Sequence, residues 1–300
     1  IYNPDFTQTN KSYKFLCHEL YIALGIENKI IVLQINRFTF PLFFSLYLMS
    51  SVNAEKIIGG NKMSNANATQ LKLNGVYMFR NLASGKYLNI YGNDQVSSNR
   101  NVCQWEASAD LSQLWRFYED ENLSKKLVSV IKGSSGQLYG LNIYRSIHKN
   151  TDIYVETPTN IVDSSIDIEC LGPISGANFS GEKVRIHLHF AESDGSYLYL
   201  TSVGNGNGSS ATTSTSDGNV IWKTGDETDA HQLWVAEFFA DYPTGNFDLR
   251  KFGAQIFLNK MYGSDIPVDA KASTRLCQEL IRALQIELGI TLGENESYGN

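Results

Sequence analysis

The sequence has no run of lysine and arginine, and its 300 residues carry a formal net charge of −6. Because a nucleic-acid-binding surface needs a basic stripe, this charge pattern disfavours nucleic acid as a partner. The four cysteines are scattered, without the close Cys and His pairs of a zinc site, and their disulfide state stays open. We find no phosphate-binding loop, Gly-x-Ser-x-Gly elbow, His-Glu-x-x-His or kinase motif. The sequence therefore predicts no metal and no cofactor, and it offers no positive evidence for an enzyme.

The chain also lacks an apolar run of the length that spans a bilayer comfortably. Residues 38–49 are strongly apolar but short, so we predict no stable transmembrane span. Lys29 and Arg37 precede this run and small residues follow it, which is the pattern of a secretory signal. Two interpretations of residues 1–62 stay open: a signal-like run over 38–54, or a truncated helical repeat. Residues 63–73 are predicted to be a linker.

The middle of the chain contains two copies of one elaborate pattern. Gln-Leu-Trp occurs at 113–115 and again at 232–234, each time after a Tyr-Leu run and a Gly/Asn-rich loop. Short alternating runs between turn residues predict strands. A weaker unit lies between the two, with Ser165-Ile166-Asp167 roughly where its Gln-x-Trp should be. Three units of about four strands predict a mainly β, closed threefold structure over residues 74–238, because closure removes exposed strand edges.

These motifs resemble the ricin-type β-trefoil lectins, whose units each carry one Gln-x-Trp. The resemblance implies a β-trefoil with small helical flanking segments, and a protein that binds glycans. We expect Trp115 and Trp234 to fill the core rather than contact a ligand, because a large aromatic contributes most to packing. The glutamine of each motif is expected to bond the backbone at a buried turn.

Sugar sites of this family resemble a shallow pocket with an aromatic floor and a few side chains that pair with adjacent hydroxyls. The resemblance gives eight candidate carbohydrate-binding residues: Asn89, Asn101, Gln104 and Trp105 in the first unit, Asn142 and Asp152 in the second, and Tyr199 and Asn219 in the third. Trp105 is the expected floor of the first site. In the second unit Tyr154 is the nearby aromatic, and in the third Lys223 stands in place of one, with Trp222 a residue earlier. A purely structural role for these loops remains the alternative.

Two further features of the middle region are candidate sites. His187 and His189 share one face of a predicted strand with Arg185, and a metal would need a third facing ligand. The neighbouring arginine argues against a cation, so we predict none. Residues 202–218 form a Gly/Ser/Thr-rich, low-complexity insertion, which we predict to be a mobile surface loop.

The C-terminal stretch shows a helical apolar pattern over 248–259 and again over 275–288, where Ser273 or Thr274 can cap the helix and Gly289 can end it. Residues 245–300 resemble part of the helical peptidoglycan-binding-like repeats of bacterial cell-wall hydrolases. Residues 16–26 echo the second helix and are a candidate degenerate copy.

Three functional hypotheses follow. The first is a non-catalytic targeting module for cell-surface or cell-wall glycans, in a secreted or cell-wall-associated protein. The second is a fragment of a peptidoglycan or glycan hydrolase, or of a toxin, whose catalytic domain lies outside this chain. The third is a trefoil that scaffolds protein–protein contacts, since a fold alone does not determine function.

Overall fold

The computed structural model of the chain describes residues 70–92, 96–143, 151–152, 154–156, 161–209 and 215–290, with the backbone alone for those between 151 and 161. These residues divide into two compact units, 70–244 and 245–290. The predicted signal-like run at 38–54, the helical echo at 16–26 and most of the predicted linker lie outside the described residues.

The first compact unit is mainly β, with thirteen strands in its described part. The first third of this unit contains β1 (Gly75–Asn81), β2 (Tyr87–Ile90), β3 (Arg100–Trp105) and β4 (Trp115–Glu119). The second third contains β5 (Lys125–Ser129), β6 (Gly140–Asn142), β7 (Thr151–Asp152), β8 (Tyr154–Glu156), the short helix α1 (Ile161–Ser164) and β9 (Ile166–Gly176). The last third contains β10 (Phe179–Leu188), β11 (Leu198–Ser202), β12 (Val220–Thr224) and β13 (Trp234–Asp241).

Six of these strands close into a barrel. β1 pairs with β4 and with β13, β4 pairs with β5, β9 pairs with β10, and β10 pairs with β13, all antiparallel. Between β5 and β9 the ring is closed by side chains, since the hydroxyls of Ser124 and Ser165 are hydrogen-bonded to each other. The ring pairs the edges of these strands except between β5 and β9, where the described backbones are not hydrogen-bonded to each other.

Six of the remaining seven strands form three antiparallel pairs that join in a triangle, and the seventh, β7, is added to one of them. β2 pairs with β3, β6 with β8, and β11 with β12. β3 also pairs with β8, β7 pairs with β12, and β3 meets β12 through a bridge between Cys103 and Asn219. A six-stranded barrel with three antiparallel strand pairs in threefold arrangement is a β-trefoil, as predicted.

The two tryptophans of the Gln-Leu-Trp motifs lie at the centre of the core, as predicted. Both are fully buried. The indole Nε1 of Trp115 donates to the carbonyl oxygen of Leu88 at 3.0 Å, and that of Trp234 donates to Leu200 at 2.9 Å. The last strand of each third begins at Trp115, Ile166 or Trp234, so the buried Ile166 takes this place in the second third.

The glutamines of the two motifs are buried and bond the backbone of the preceding turn as predicted, but the turn itself is partly exposed rather than buried. The side-chain amide of Gln113 donates to the carbonyl oxygen of Glu106 at 2.7 Å, and that of Gln232 donates to Thr224 at 2.9 Å. Each glutamine oxygen also accepts from a backbone N–H of the same turn.

The second compact unit contains two helices, α2 (Leu249–Tyr262) and α3 (Thr274–Glu287), close to the predicted positions. The side chains of Asp248 and Ser273 accept hydrogen bonds from the first turns, as N-cap residues do. Leu280 is buried and Leu284 half-buried, so only the first of these two leucines points fully inward as expected. Within the described ranges, neither helix has the length and apolar content needed to cross a bilayer.

Candidate functional site

Three of the four predicted site residues of the first unit are buried. Asn89, Asn101 and Gln104 are each at most 7% exposed. The oxygen of Asn89 accepts from the hydroxyl of Ser112 at 2.8 Å, and its amide contacts the sulfur of Cys103 at 3.6 Å. The expectation that these side chains open onto a shallow depression is therefore wrong, because they serve internal hydrogen bonds. Carbohydrate binding at these positions has no support in this geometry.

Gln104 holds a loop that comes from the third unit. Its amide donates to the carbonyl oxygens of Gly204 at 2.9 Å and Gly206 at 3.2 Å, and its oxygen accepts from the hydroxyl of Ser84 at 2.6 Å. The backbone N–H of Gly208 donates to the Gln104 carbonyl at 2.9 Å. The described parts of residues 202–218 are thus bonded to strand β3. Gly204, Asn205 and Asp217 are exposed, so the loop lies on the surface as predicted, and its mobility stays a prediction.

A glycine is required where this loop crosses β3. A Cβ atom at Gly208 would lie 2.2 Å from the Cβ of Cys103, far inside van der Waals contact. Cys103 is itself buried, and this burial raises the pKa of its thiol to about 12. It is a free thiol, as are Cys170 and Cys277.

The other predicted residues are dispersed. Trp105 is half-buried at the end of β3, opposite Tyr87. Asn142 and Asn219 are buried, and the Asn219 oxygen accepts from the amide of Asn101 at 3.1 Å. The backbone of Asp152 pairs with β12, but its side chain lies outside the described atoms, as does that of Tyr154. A role for Trp105 and Asp152 in sugar binding stays a prediction.

Strand pairing changes the alignment of the third unit with the first. The tryptophan contacts make Leu200 the equivalent of Leu88. Thr201 is therefore the equivalent of Asn89, and the predicted equivalence of Tyr199 and Asn89 is wrong by two residues. A shift of two keeps every side chain on the same face of the strand, so the alternating pattern could not reveal it.

An open cavity of about 530 Å³ lies at this corrected position in the third unit. Its polar side chains come from four segments of that unit: Thr201 and Ser202 at the end of β11, Thr215 before β12, Lys223 on β12, and Asp229 and His231 before the second Gln-Leu-Trp. Val203 and Ile221 supply the apolar part, and Gly204 of the loop held by Gln104 forms a wall.

Two polar contacts organise the cavity. The ammonium of Lys223 lies 3.0 Å from a carboxylate oxygen of Asp229, and the Lys223 side chain is 45% exposed. The hydroxyl of Ser202 lies 2.8 Å from Nδ1 of His231. An ammonium has three donors and a carboxylate about four acceptor positions, so both charged groups retain capacity for a ligand.

The turn before the Gln-Leu-Trp motif positions Asp229 and His231. Asp229 caps a short 3₁₀ turn, Ala230–Gln232, and its carboxylate accepts from the backbone N–H of His231 at 3.0 Å. Asp110 caps the corresponding turn of the first unit in the same way. Alignment on the two Gln-Leu-Trp motifs would have pointed to Asp229 and His231 from the sequence, but the prediction did not include them.

Neither the cavity nor the predicted histidine pair has the geometry of a catalytic triad or a metal site among the described residues. The Asp229 carboxylate bonds the backbone of His231 rather than its ring, so it does not orient the imidazole as the acid of a catalytic triad does. His189 instead bonds the carboxylate of Asp167 at 2.7 Å. Within the described part of the chain, no three His, Cys, Asp or Glu side chains are grouped to hold a metal ion.

A family comparison agrees with the threefold arrangement around the tryptophan motifs. Residues 67–153 match the model of the ricin-type beta-trefoil lectin domain-like family. This match covers the first unit of the trefoil and part of the second. None of the comparisons supports the predicted similarity of residues 245–300 to peptidoglycan-binding repeats.

Solved structures similar to this chain include a designed threefold symmetric protein, ThreeFoil, with 22% identity and a TM-score of 0.38 over 54% of this chain and 98% of that one. The Rhizoctonia solani agglutinin is 16% identical, with a TM-score of 0.35 over 57% of this chain and 98% of its own. The β-trefoil lectin of the Vibrio vulnificus hemolysin/cytolysin, solved with N-acetyl-D-lactosamine bound, is 14% identical, with a TM-score of 0.35 over 55% and 96%. No curated protein matches the chain.

Proposed function

We propose that this protein binds carbohydrate and that the cavity of the third unit is its principal site. The observation that carries the proposal is the pairing of Lys223 with Asp229 at the edge of an open cavity whose other polar groups are hydroxyls and an imidazole. The match of residues 67–153 to a lectin-like family supports it.

The chemistry of the cavity suits a pair of adjacent sugar hydroxyls. A carboxylate oxygen of Asp229 accepts from one hydroxyl, while the ammonium of Lys223 donates to its neighbour. Ser202 and His231 supply further groups that can bond a third hydroxyl. Val203, which is half-buried, offers an apolar surface for the C–H groups of the ring. The cavity is open and wet, so we expect weak affinity, and a dissociation constant of 1 mM corresponds to roughly −4 kcal/mol.

Titration of the whole chain with methyl pyranosides of the galacto, gluco, manno and N-acetylglucosamine series tests the proposal by calorimetry and by ligand-observed NMR. Asp229→Asn keeps a good N-cap but loses the charge, and Lys223→Met keeps the aliphatic stem. Each variant should weaken binding about tenfold or more, the loss of a charge-assisted hydrogen bond. The matched controls are Lys72→Met and Asp241→Asn, because those residues form an exposed ion pair outside the cavity.

Two results would contradict the proposal. One is a parent protein that binds none of the four sugars on a wider glycan array either. The other is binding that is as strong in Asp229→Asn and Lys223→Met as in the parent and the two controls.

We further propose that this binding directs a secreted or cell-wall-associated protein to glycans on a cell surface or wall. The signal-like pattern ahead of the trefoil and the lectin-like family match support this proposal. Fluorescently labelled protein should bind intact cells or isolated walls, and free sugar should compete. Binding to cells that free sugar does not reduce, and that Asp229→Asn does not alter, would refute it.

A further inference from the structure

We propose a second saccharide site, centred on Tyr197, on the face formed by β9, β10 and β11. It rests on the proposed function, because it assumes that the protein binds sugars, but it shares no residue with the cavity of the third unit. Its parts are an exposed aromatic ring, an imidazole and a carboxylate.

Tyr197 supplies the apolar platform. Its side chain is 42% exposed, among the largest exposed apolar surfaces in the described part of the trefoil. The ring of His187 meets it edge-on, with centroids 4.8 Å apart and planes at 63°. This contact supports the tyrosine from one side and leaves ring area open to solvent. An open aromatic ring is the surface against which the C–H face of a pyranose packs.

His187 presents an acceptor next to the carboxylate of Glu169. Its Nδ1 lies 2.8 Å from the carbonyl oxygen of Leu188 and donates to it, so when the ring is neutral Nε2 carries a lone pair. That Nε2 lies 3.6 Å from a carboxylate oxygen of Glu169, whose side chain is 37% exposed. Two acceptors face each other here, and a group with donors between them would satisfy both.

The carboxylate of Glu169 is positioned by contacts with Tyr199 and Arg185. The hydroxyl of Tyr199 donates to it at 2.7 Å, and an Nη atom of Arg185 lies 3.8 Å from its other oxygen. Burial, and then the hydrogen bond to Glu169, raise the pKa of Tyr199 to about 12, so the hydroxyl remains a donor. The carboxylate is thereby preorganised, which lowers the cost of binding a ligand.

One hydrogen-bond donor of Arg185, its Nε, has no partner among the described residues. Arg185 is 6% exposed, stacks on the ring of Tyr199 at 3.9 Å and donates to the oxygen of Gln232 at 2.9 Å. The Nε itself is buried. Buried donors without a partner are rare in folded proteins, and a buried water would satisfy this one.

The equivalent place between the third and first units is closed. There the hydroxyl of Tyr87 donates to the carboxylate of Glu237 at 2.8 Å, the counterpart of the Tyr199–Glu169 pair. Tyr87 and Glu237 are both buried. Of these two contacts, the one next to Tyr197 and His187 is open to solvent and the other is not.

The chemistry selects a pyranose with two adjacent hydroxyls and an apolar C–H face. The two hydroxyls donate to His187 and Glu169, and the ring packs on Tyr197. Adjacent hydroxyls are needed because one hydroxyl hydrogen satisfies only one of the two acceptors.

The test uses the full chain with the same four methyl pyranosides, in the parent and in an Asp229→Asn background. We expect residual binding in Asp229→Asn that falls about tenfold when Tyr197→Ala or Glu169→Gln is added. A pyranoside lacking one of the two hydroxyls should show the same loss. The matched control is Phe238→Ala, since Phe238 is 43% exposed but has no carboxylate–imidazole pair in contact with it.

The outcomes separate the two proposals. If Asp229→Asn abolishes all binding, the Tyr197 site is wrong and the cavity stands. If Tyr197→Ala abolishes all binding and Asp229→Asn has no effect, the Tyr197 site stands and the cavity is wrong. If the parent binds no sugar, both are wrong. An equal effect of Tyr197→Ala and Phe238→Ala also rejects the Tyr197 site.

Discussion

The side chain of Gln104 in the first unit donates a hydrogen bond to the carbonyl oxygen of Gly204 in the third, at 2.9 Å. Gly204 lines the cavity of the third unit. A residue that the sequence suggested as a ligand contact therefore supports the wall of a neighbouring site. The two units share this wall, so changes in the first unit should alter binding in the third.

Gln104→Ala should destabilise the trefoil and weaken sugar binding together. It leaves the carbonyl oxygens of Gly204 and Gly206 without their donor, at a cost of about 1–3 kcal/mol. Hydrogen exchange at the Gly206 and Gly208 amides should quicken, because the loop opens more often. Chemical unfolding and exchange NMR measure both effects. Gln137→Ala, in an exposed turn, is the control. Unchanged exchange in the loop would show that Gln104 does not hold it.

Trp115→Ala and Trp234→Ala should each cost about 3–5 kcal/mol, since both indoles are fully buried. Trp105→Ala should cost much less, because Trp105 is half-buried. Urea unfolding of the three variants gives the comparison directly. A loss at Trp105 as large as that at Trp115 would mean that Trp105 is a core residue, and its predicted role in sugar binding would be rejected.

Tyr87→Phe should destabilise the protein more than Tyr199→Phe. Each change removes a hydrogen bond to a carboxylate, of Glu237 and of Glu169 respectively. Such bonds contribute about 1.5–3 kcal/mol when buried, and Glu237 is buried whereas Glu169 can be solvated. Thermal unfolding of both variants tests the order. Equal losses would contradict the view that only the second pair is open to solvent.

The Asp120–Lys126 ion pair should make stability depend on acid pH. The hydrogen bond from Lys126, 2.6 Å away, holds the pKa of the Asp120 carboxyl below its usual value, against the opposing effect of burial. The stabilisation is therefore present above the unfolded-state pKa of about 3.9 and is lost as pH falls through the lower folded-state pKa. Asp120→Asn should cost about 3 kcal/mol at neutral pH, because Lys126 is buried.

Urea unfolding of the parent and Asp120→Asn at a series of pH values checks this, and their difference should shrink as the solution becomes more acidic than pH 4 or so. The control is Asp241→Asn, at an exposed ion pair. A difference that persists undiminished in acid would exclude the titration of Asp120 as its source.

The trefoil was predictable from the sequence because its signals are local and repeated. Trp115 and Trp234 each begin a strand, and each lies two residues after a glutamine that bonds the preceding turn. The Gln-Leu-Trp motif therefore predicts both the buried indole and the turn before it. The C-terminal helices carry their own caps at Asp248 and Ser273. Such features need no knowledge of distant contacts.

The candidate site was harder because it depends on register and on contacts between units. The sequence cannot distinguish Thr201 from Tyr199 as the partner of Asn89, since both lie on the same face of β11. Nor can it show that Gln104 is bonded to Gly204, about a hundred residues away. Buried amides and ligand-binding amides are the same residue types, and only the fold separates them.

The first and last strands of the trefoil are neighbours, with Gly75 opposite Asp241. A force that pulls the two flanking segments apart would therefore break the β1–β13 hydrogen bonds one after another, starting at Gly75 and Asp241. Strands opened in this way resist force far less than strands sheared along their length. The two ends of the trefoil unit thus lie next to each other, and tension carried through the chain would separate its first and last strands before the others.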